Sequence, residues 1–110
     1  MAAKYDLKKA RGGEFVFNLK AANGQVVLTS ERYKAKASAN KGIESVRTNA
    51  KKERQFDRRR AKNGKPYFVL LAGNGEPIGR SQMYSSKAAM EKGVRCVKKD
   101  GPKARVDDLT

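Results

Sequence analysis

The sequence predicts an α+β protein with internal twofold pseudo-symmetry: two tandem repeats, each strand, strand, strand, helix, that form one mostly antiparallel sheet with two helices on one face. Three observations carry this. First, the chain repeats itself: at an offset of 51, residues 4–50 fall on 55–101 without a gap, and fifteen of the 47 aligned positions are identical, among them Phe17/Phe68, Leu19/Leu70, Asn23/Asn74, Gly24/Gly75, Tyr33/Tyr84 and Gly42/Gly93. Chance would give about three at ordinary residue frequencies. Second, the apolar period changes from 2 to 3.6 within each copy. Third, Val106-Asp107 opens the pattern a third time, after Tyr5-Asp6 and Phe56-Asp57. About 50 residues bury too little surface to stand alone, so the two copies are expected to share one core. A single domain over 1–110 follows, with repeat one at 4–54, repeat two at 55–105 and a closing strand at 106–110.

Residues 4–9 and 54–60 read as short charged strands whose apolar anchor is Tyr5 or Phe56. Glu14 to Ala22 alternates, placing Phe15, Phe17, Leu19 and Ala21 on one face. Asn23-Gly24 and Asn74-Gly75 are hairpin turns, because both residue types tolerate the positive φ of a type I′ turn. A two-residue loop sets Leu19 against Leu28 and Ala21 against Val26, so that Val26, Leu28 and Ser30 join the core; a three-residue loop with Gly24 as a bulge slips that pairing by one. Helical spacing then aligns Ala35, Ala39, Gly42, Ile43 and Val46, and in the second copy Ser86, Met90, Gly93, Val94 and Val97. A mid-helix glycine in both copies points to a close approach of helix and sheet. Ser85 or Ser86 can cap the second helix; Lys34 and Ala35 leave the first without a cap.

The string Lys20-Ala21-Ala22-Asn23-Gly24-Gln25-Val26-Val27-Leu28-Thr29-Ser30-Glu31, followed by Tyr33 and Gly42-Ile43-Glu44-Ser45-Val46, resembles the YegP-like family of small bacterial and archaeal proteins. The second copy matches more loosely, through Ala72 to Glu76, Ser81, Tyr84-Ser85-Ser86-Lys87 and Gly93-Val94. Ala35 stands where the motif usually has Ser or Thr, and Pro77 where it has a β-branched residue. The resemblance implies two βββα-β units in a single sheet, with the C-terminal strands exchanged between repeats. In some members two single-repeat subunits achieve this; here a tandem chain would. The family lends no activity, so no catalytic, cofactor-binding or metal-binding residue is carried over.

Composition argues against most enzymes. There is no His, and Cys96 is the only cysteine, which excludes an internal disulfide and any zinc site of several thiolates. Cys96 reads as a small semi-buried filler beside the second helix's apolar stripe. Asp6, Asp57 and Asp107 recur at strand starts and read as structural; Asp107-Asp108 supplies too few oxygens for calcium. Gly73 to Ser81 is glycine-rich but joins two strands, whereas a phosphate-cradling loop must lead into a helix. Arg11-Gly12-Gly13-Glu14-Phe15-Val16-Phe17 brushes against the aromatic signature of RNA-recognition sheets, but its alternation gives Phe15 and Phe17 to the core. No apolar run approaches the about 20 residues of a membrane span, and no secretory signal opens the chain, so a cytoplasmic protein without a membrane partner is expected.

One signal survives. The chain has 26 Lys and Arg against 11 Asp and Glu, a formal net charge of +15. Residues 47–65 hold nine cations and two carboxylates, and a second cluster surrounds the end of the second helix. Arg47, Lys51, Lys52, Arg54, Arg58, Arg59, Arg60, Lys62, Lys98, Lys99, Lys103 and Arg105 form the candidate phosphate-contacting set, pictured as two basic corners of the sheet. The plainer account is a solvated surface whose cations complement helix C-termini. An apolar outer face on the second half, Tyr67, Val69, Leu71 and Ile78, is a further expectation. The function expected is a small non-enzymatic binding protein without a cofactor, monomeric because the tandem repeat stands in for a homodimer, its partner an acidic protein or nucleic acid. Sequence-nonspecific nucleic-acid binding is the alternative.

Overall fold

The computed structural model describes residues 2–110. Strands β1 (Lys4–Lys9), β2 (Phe15–Lys20) and β3 (Val26–Ser30) precede helix α1 (Lys36–Asn49). A 3₁₀ turn over Glu53–Gln55 leads to β4 (Phe56–Arg60), β5 (Pro66–Leu71), β6 (Pro77–Arg80), helix α2 (Lys87–Asp100) and β7 (Arg105–Asp108). All seven strands form one sheet in the order β4-β5-β6-β3-β2-β1-β7. Every pairing is antiparallel except β1 with β7. The strand after each helix crosses to the other half: β4 lies against repeat two, and β7 against repeat one.

The repeats meet at β3 and β6, where Thr29 faces Arg80, residues 51 apart in the sequence. The pseudo-dyad therefore passes between them. A single row runs across the face away from the helices: Asp107, Asp6, Asn18, Thr29, Arg80, Val69, Asp57. The opposite face carries Tyr5, Leu7, Phe17, Leu19, Leu28, Phe68 and Leu70, buried against both helices in one continuous core. Tyr5 and Phe56 meet Phe17 and Phe68 edge-on, and Tyr33 and Tyr84 stack on the same two rings.

The hairpins correct the type I′ expectation. Among the described residues only glycines have positive φ, so Asn23 and Asn74 do not adopt that turn. Instead the Ala21 N–H bonds Gln25 O, Gly24 takes φ 86°, and the Asn23 side chain accepts the Gln25 N–H. This three-residue loop slips the register by one. A bulge at Val27 then restores it, so that Leu19 still faces Leu28. Val27 thereby enters the core in place of Val26. The same device in repeat two turns Ile78 into the core, which removes it from the outer face where alternation placed it. Val69 is buried on that outer face, outside the core cluster, with Tyr67 and Leu71 half-buried beside it. Ser30 and Ser81 serve the edges of this arrangement: each hydroxyl accepts the N–H of Phe17 or Phe68 and donates to the next carbonyl.

The helix stripes bury Ala39, Gly42, Ile43 and Val46, and Met90, Gly93, Val94 and Val97, whereas Ala35 and Ser86, which spacing also placed there, precede the helices as exposed N-cap residues. Ser86 caps α2 by accepting the Ala89 N–H at 3.1 Å, whereas Ala35 gives α1 no side-chain cap. The mid-helix glycines are explained by tyrosines more than by the sheet. A Cβ at Gly42 would lie 2.5 Å from the Tyr33 hydroxyl, and one at Gly93 2.2 Å from that of Tyr84. Val106, which opens the pattern where Tyr5 and Phe56 are buried, is 37% exposed: β7 adds a strand without adding a buried side chain. No helix among the described residues is long and apolar enough to cross a membrane.

Candidate anion-binding surface

Both helices end at the pseudo-dyad. A Cβ on Gly101 would stand 3.2 Å from that of Ala50, its counterpart in repeat one, and the Tyr5 hydroxyl donates to Gly101 O at 2.6 Å. The two basic crossings therefore meet at one junction and are not two corners of the sheet. Two helix C-termini bring partial negative charge there together, which Arg47, Lys98 and Lys99 in the last turns offset.

The candidate cations divide by what they touch. Arg47 pairs with Glu44, donates to Ala104 O at 2.7 Å and lies over the Tyr5 ring. Its counterpart Lys98 pairs with Glu53 and lies over Phe56. Arg58 donates two hydrogen bonds to Glu91, at 2.6 and 2.9 Å, and a third to Glu53 at 2.6 Å. The hydrogen bonds from Arg58 and Lys98 hold the Glu53 carboxyl down at about 2. Arg59 pairs with Asp57, and Arg60 donates to Gly64 O. These residues fasten β4 and the helix ends. Lys51, Lys52, Arg54, Lys62, Lys99, Lys103 and Arg105 are exposed and have no ion-pair partner among the described residues. Lys99, Lys103 and Arg105 line one hollow of about 460 Å³ with Ala2, Ala3, Ala22, Asp100 and Ala104. Lys51 and Lys52 directly follow Ala50 at the helix contact.

Other titratable groups have structural partners. Asp6 is 3% exposed, bonded to Lys20 at 2.8 Å with Lys4 at 3.4 Å. Burial pushes its carboxyl up, but the two lysines outweigh that and hold it below the usual carboxylate range. Sequence reading missed Lys4 and Lys20 as its partners; their shared parity on paired strands was the available signal. Cys96 is half-buried and donates to Asp100 at 3.5 Å. Burial, then Asp100, pushes the thiol up to about 11, which keeps it protonated and unreactive near neutral pH. Among the described residues no group of three or more Cys, Asp or Glu is placed to hold a metal ion.

These features define a tandem-repeat α+β protein with a charged junction between its helices. A domain of unknown function, DUF1508, matches the chain twice, over 10–57 and 61–108, and the chain belongs to that family. A UPF0339 protein of Pseudomonas aeruginosa is 55% identical over 98% of both chains, and one of Pasteurella multocida 52% identical over 96% of this chain and 93% of its own. The solution NMR structure of a UPF0339 protein from Shewanella oneidensis superposes with a TM-score of 0.94 at 48% identity, covering 100% of this chain and 93% of that one. That of yegP from E. coli, a protein of unknown function, gives 0.94 at 45%, covering 100% and 95%. The likeness to YegP read from the sequence, and the mostly antiparallel α+β fold, are thereby established.

Proposed function

We propose that the chain is a small non-enzymatic binding protein that meets an anionic partner with the cations around its two helix ends. The observation that supports this is the set of exposed lysines and arginines without ion-pair partners among the described residues, Lys51, Lys52, Lys99, Lys103 and Arg105, gathered within a few residues of one helix contact. The dipoles of two helix ends are already offset by Arg47, Lys98 and Lys99, so Lys51, Lys52, Lys103 and Arg105 exceed what the fold requires. A second reading, sequence-nonspecific nucleic-acid binding, is favoured by the hollow lined by Lys99, Lys103 and Arg105, which suits a phosphate group.

Fluorescence anisotropy with a labelled 25-base-pair duplex and a labelled oligoglutamate separates the two. With four to six phosphate contacts, duplex affinity near micromolar at 50 mM salt falls roughly a hundredfold or more by 200 mM. Lys51→Ser, Lys52→Ser and Lys103→Ser together weaken every duplex alike and shallow the salt slope. Binding of oligoglutamate alone supports the broader reading and removes nucleic acid; binding of neither probe at 50 mM salt removes both.

A further inference from the structure

The two ends of the sheet are closed differently. In repeat one, β1 lies between β2 and a parallel β7. The Leu7 carbonyl accepts the Leu109 N–H at 2.8 Å, and Asp107 and Asp108 pair with Lys4 and Lys36. The counterpart of β1 is β4, whose only strand neighbour among the described residues is β5. An offset of 51 takes Leu7 to Arg58 and Lys36 to Lys87. The direction of the β4 backbone follows from β5. Phe68 exchanges bonds with Ser81, and Pro66 O accepts the Tyr84 N–H, so both residues turn their main-chain groups toward the β6 side. Arg58 and Arg60, opposite them, therefore turn N–H and C=O to the open edge. Beside that edge Arg58, Arg59, Arg60, Pro66, Lys87 and Met90 line a hollow of about 270 Å³.

We propose that the open edge of β4 receives an extended acidic segment of a partner protein, laid parallel to β4 as β7 lies on β1. The Arg58 carbonyl then takes the guest's N–H as Leu7 takes that of Leu109, and the Arg58 and Arg60 N–H groups donate to guest carbonyls. A guest carboxylate opposite Arg58 faces Lys87 as Asp108 faces Lys36; Lys87 and Arg60 have no ion-pair partner among the described residues. A second copy of the chain fits less well. Its tail is engaged on its own β1, and pairing β4 with β4 opposes two rows of arginine. This rests on the binding-protein reading but uses a surface separate from the helix junction.

The probe is a labelled heptapeptide, Ala-Arg-Val-Asp-Asp-Leu-Thr, which repeats residues 104–110, with a control carrying Lys in place of both Asp. Amide spectra of the full chain report where it lands. The expected result is saturable shifts at Arg58, Arg60 and Lys87 with the acidic peptide and none with the control. Arg60→Pro, which removes one outward N–H at an edge position open to proline, weakens binding about tenfold. Lys87→Glu, an exposed change that suits a helix start, does so to a similar extent, about tenfold. The triple junction variant Lys51→Ser, Lys52→Ser, Lys103→Ser leaves it unchanged, so this site and the junction fail independently. The proposal is overturned by shifts absent from β4, by shifts confined to β1 or the helix junction, or by β4 shifts that grow with protein concentration without peptide, which would make a second copy the occupant.

Discussion

Tyr5 and Phe56 occupy the same place in the two repeats, each beneath a cation from the last turn of a helix, yet their surroundings have diverged. Tyr5 reaches Gly101 O with its hydroxyl, and the neighbouring Asp6 is buried between Lys4 and Lys20. In repeat two the place of Lys20 is taken by Leu71, Asp57 is half-exposed and pairs with Arg59 along its own strand, and the ionic fastening has moved to Glu53, Arg58, Glu91 and Lys98. Phe17 and Phe68, Leu19 and Leu70, Val46 and Val97 have not moved at all. Exposed ion pairs contribute little singly and can be rewired. Close-packed rings cannot, because any change of shape is felt by every neighbour.

The comparison is broken most directly at the conserved rings. Phe17→Ala and Phe68→Ala should each cost about 3–5 kcal/mol, and each should lower one common unfolding transition followed by circular dichroism and tyrosine fluorescence. Two separate transitions would mean that the halves do not share a core. Deleting residues 106–110 tests the unequal edges. It should cost about 1–2 kcal/mol by denaturant midpoint, from lost ladder bonds and the pairs to Lys4 and Lys36. The larger loss that a buried Val106 would give is not expected, since that side chain is 37% exposed.

The smallest effect sharpens the ionic difference. Glu53 has its carboxyl lowered from 4.5 to about 2 by its hydrogen bonds to Arg58 and Lys98. A group held below its unfolded value stabilises the fold fully above that value and loses its contribution as pH falls through the folded one. Denaturant midpoints should therefore decline between 4.5 and about 2, and Arg58→Ser should flatten part of that decline by freeing Glu53 and Glu91.

Much of the fold was legible because each repeat states it independently: strand alternation, the Ser86 cap and both helical stripes follow from local spacing. The bulges at Val27 and Ile78 were not legible, since they depend on which residue of an Asn-Gly pair takes positive φ. The convergence of the helix ends was hidden for another reason. It depends on how the helices cross a seven-stranded sheet, and no pattern within either repeat encodes that. Arg58-Arg59-Arg60 read as part of a phosphate-contacting patch, but strand parity sends Arg58 to the helix side, where it meets Glu91 from 33 residues away. The open edge of β4 likewise emerges only once β7 is seen beside β1.

Leu28 and Gly79 are counterparts in the two repeats and flank the pseudo-dyad. A Cβ on Gly79 would lie 2.8 Å from Thr29 O and 3.1 Å from Leu28 Cγ. The same space thus serves one leucine and its missing partner. Ala50 and Gly101 repeat the pattern at the helix ends, where a methyl on Gly101 would press on that of Ala50 at 3.2 Å and on Val97 O at 2.6 Å. Two identical subunits would have to put the same residue on both sides of such an axis and settle for a compromise in size. A fused chain is free to be lopsided there, filling the space from one side only. Covalent linkage has made the halves complementary, and neither could now pair with a copy of itself in the way it pairs with the other.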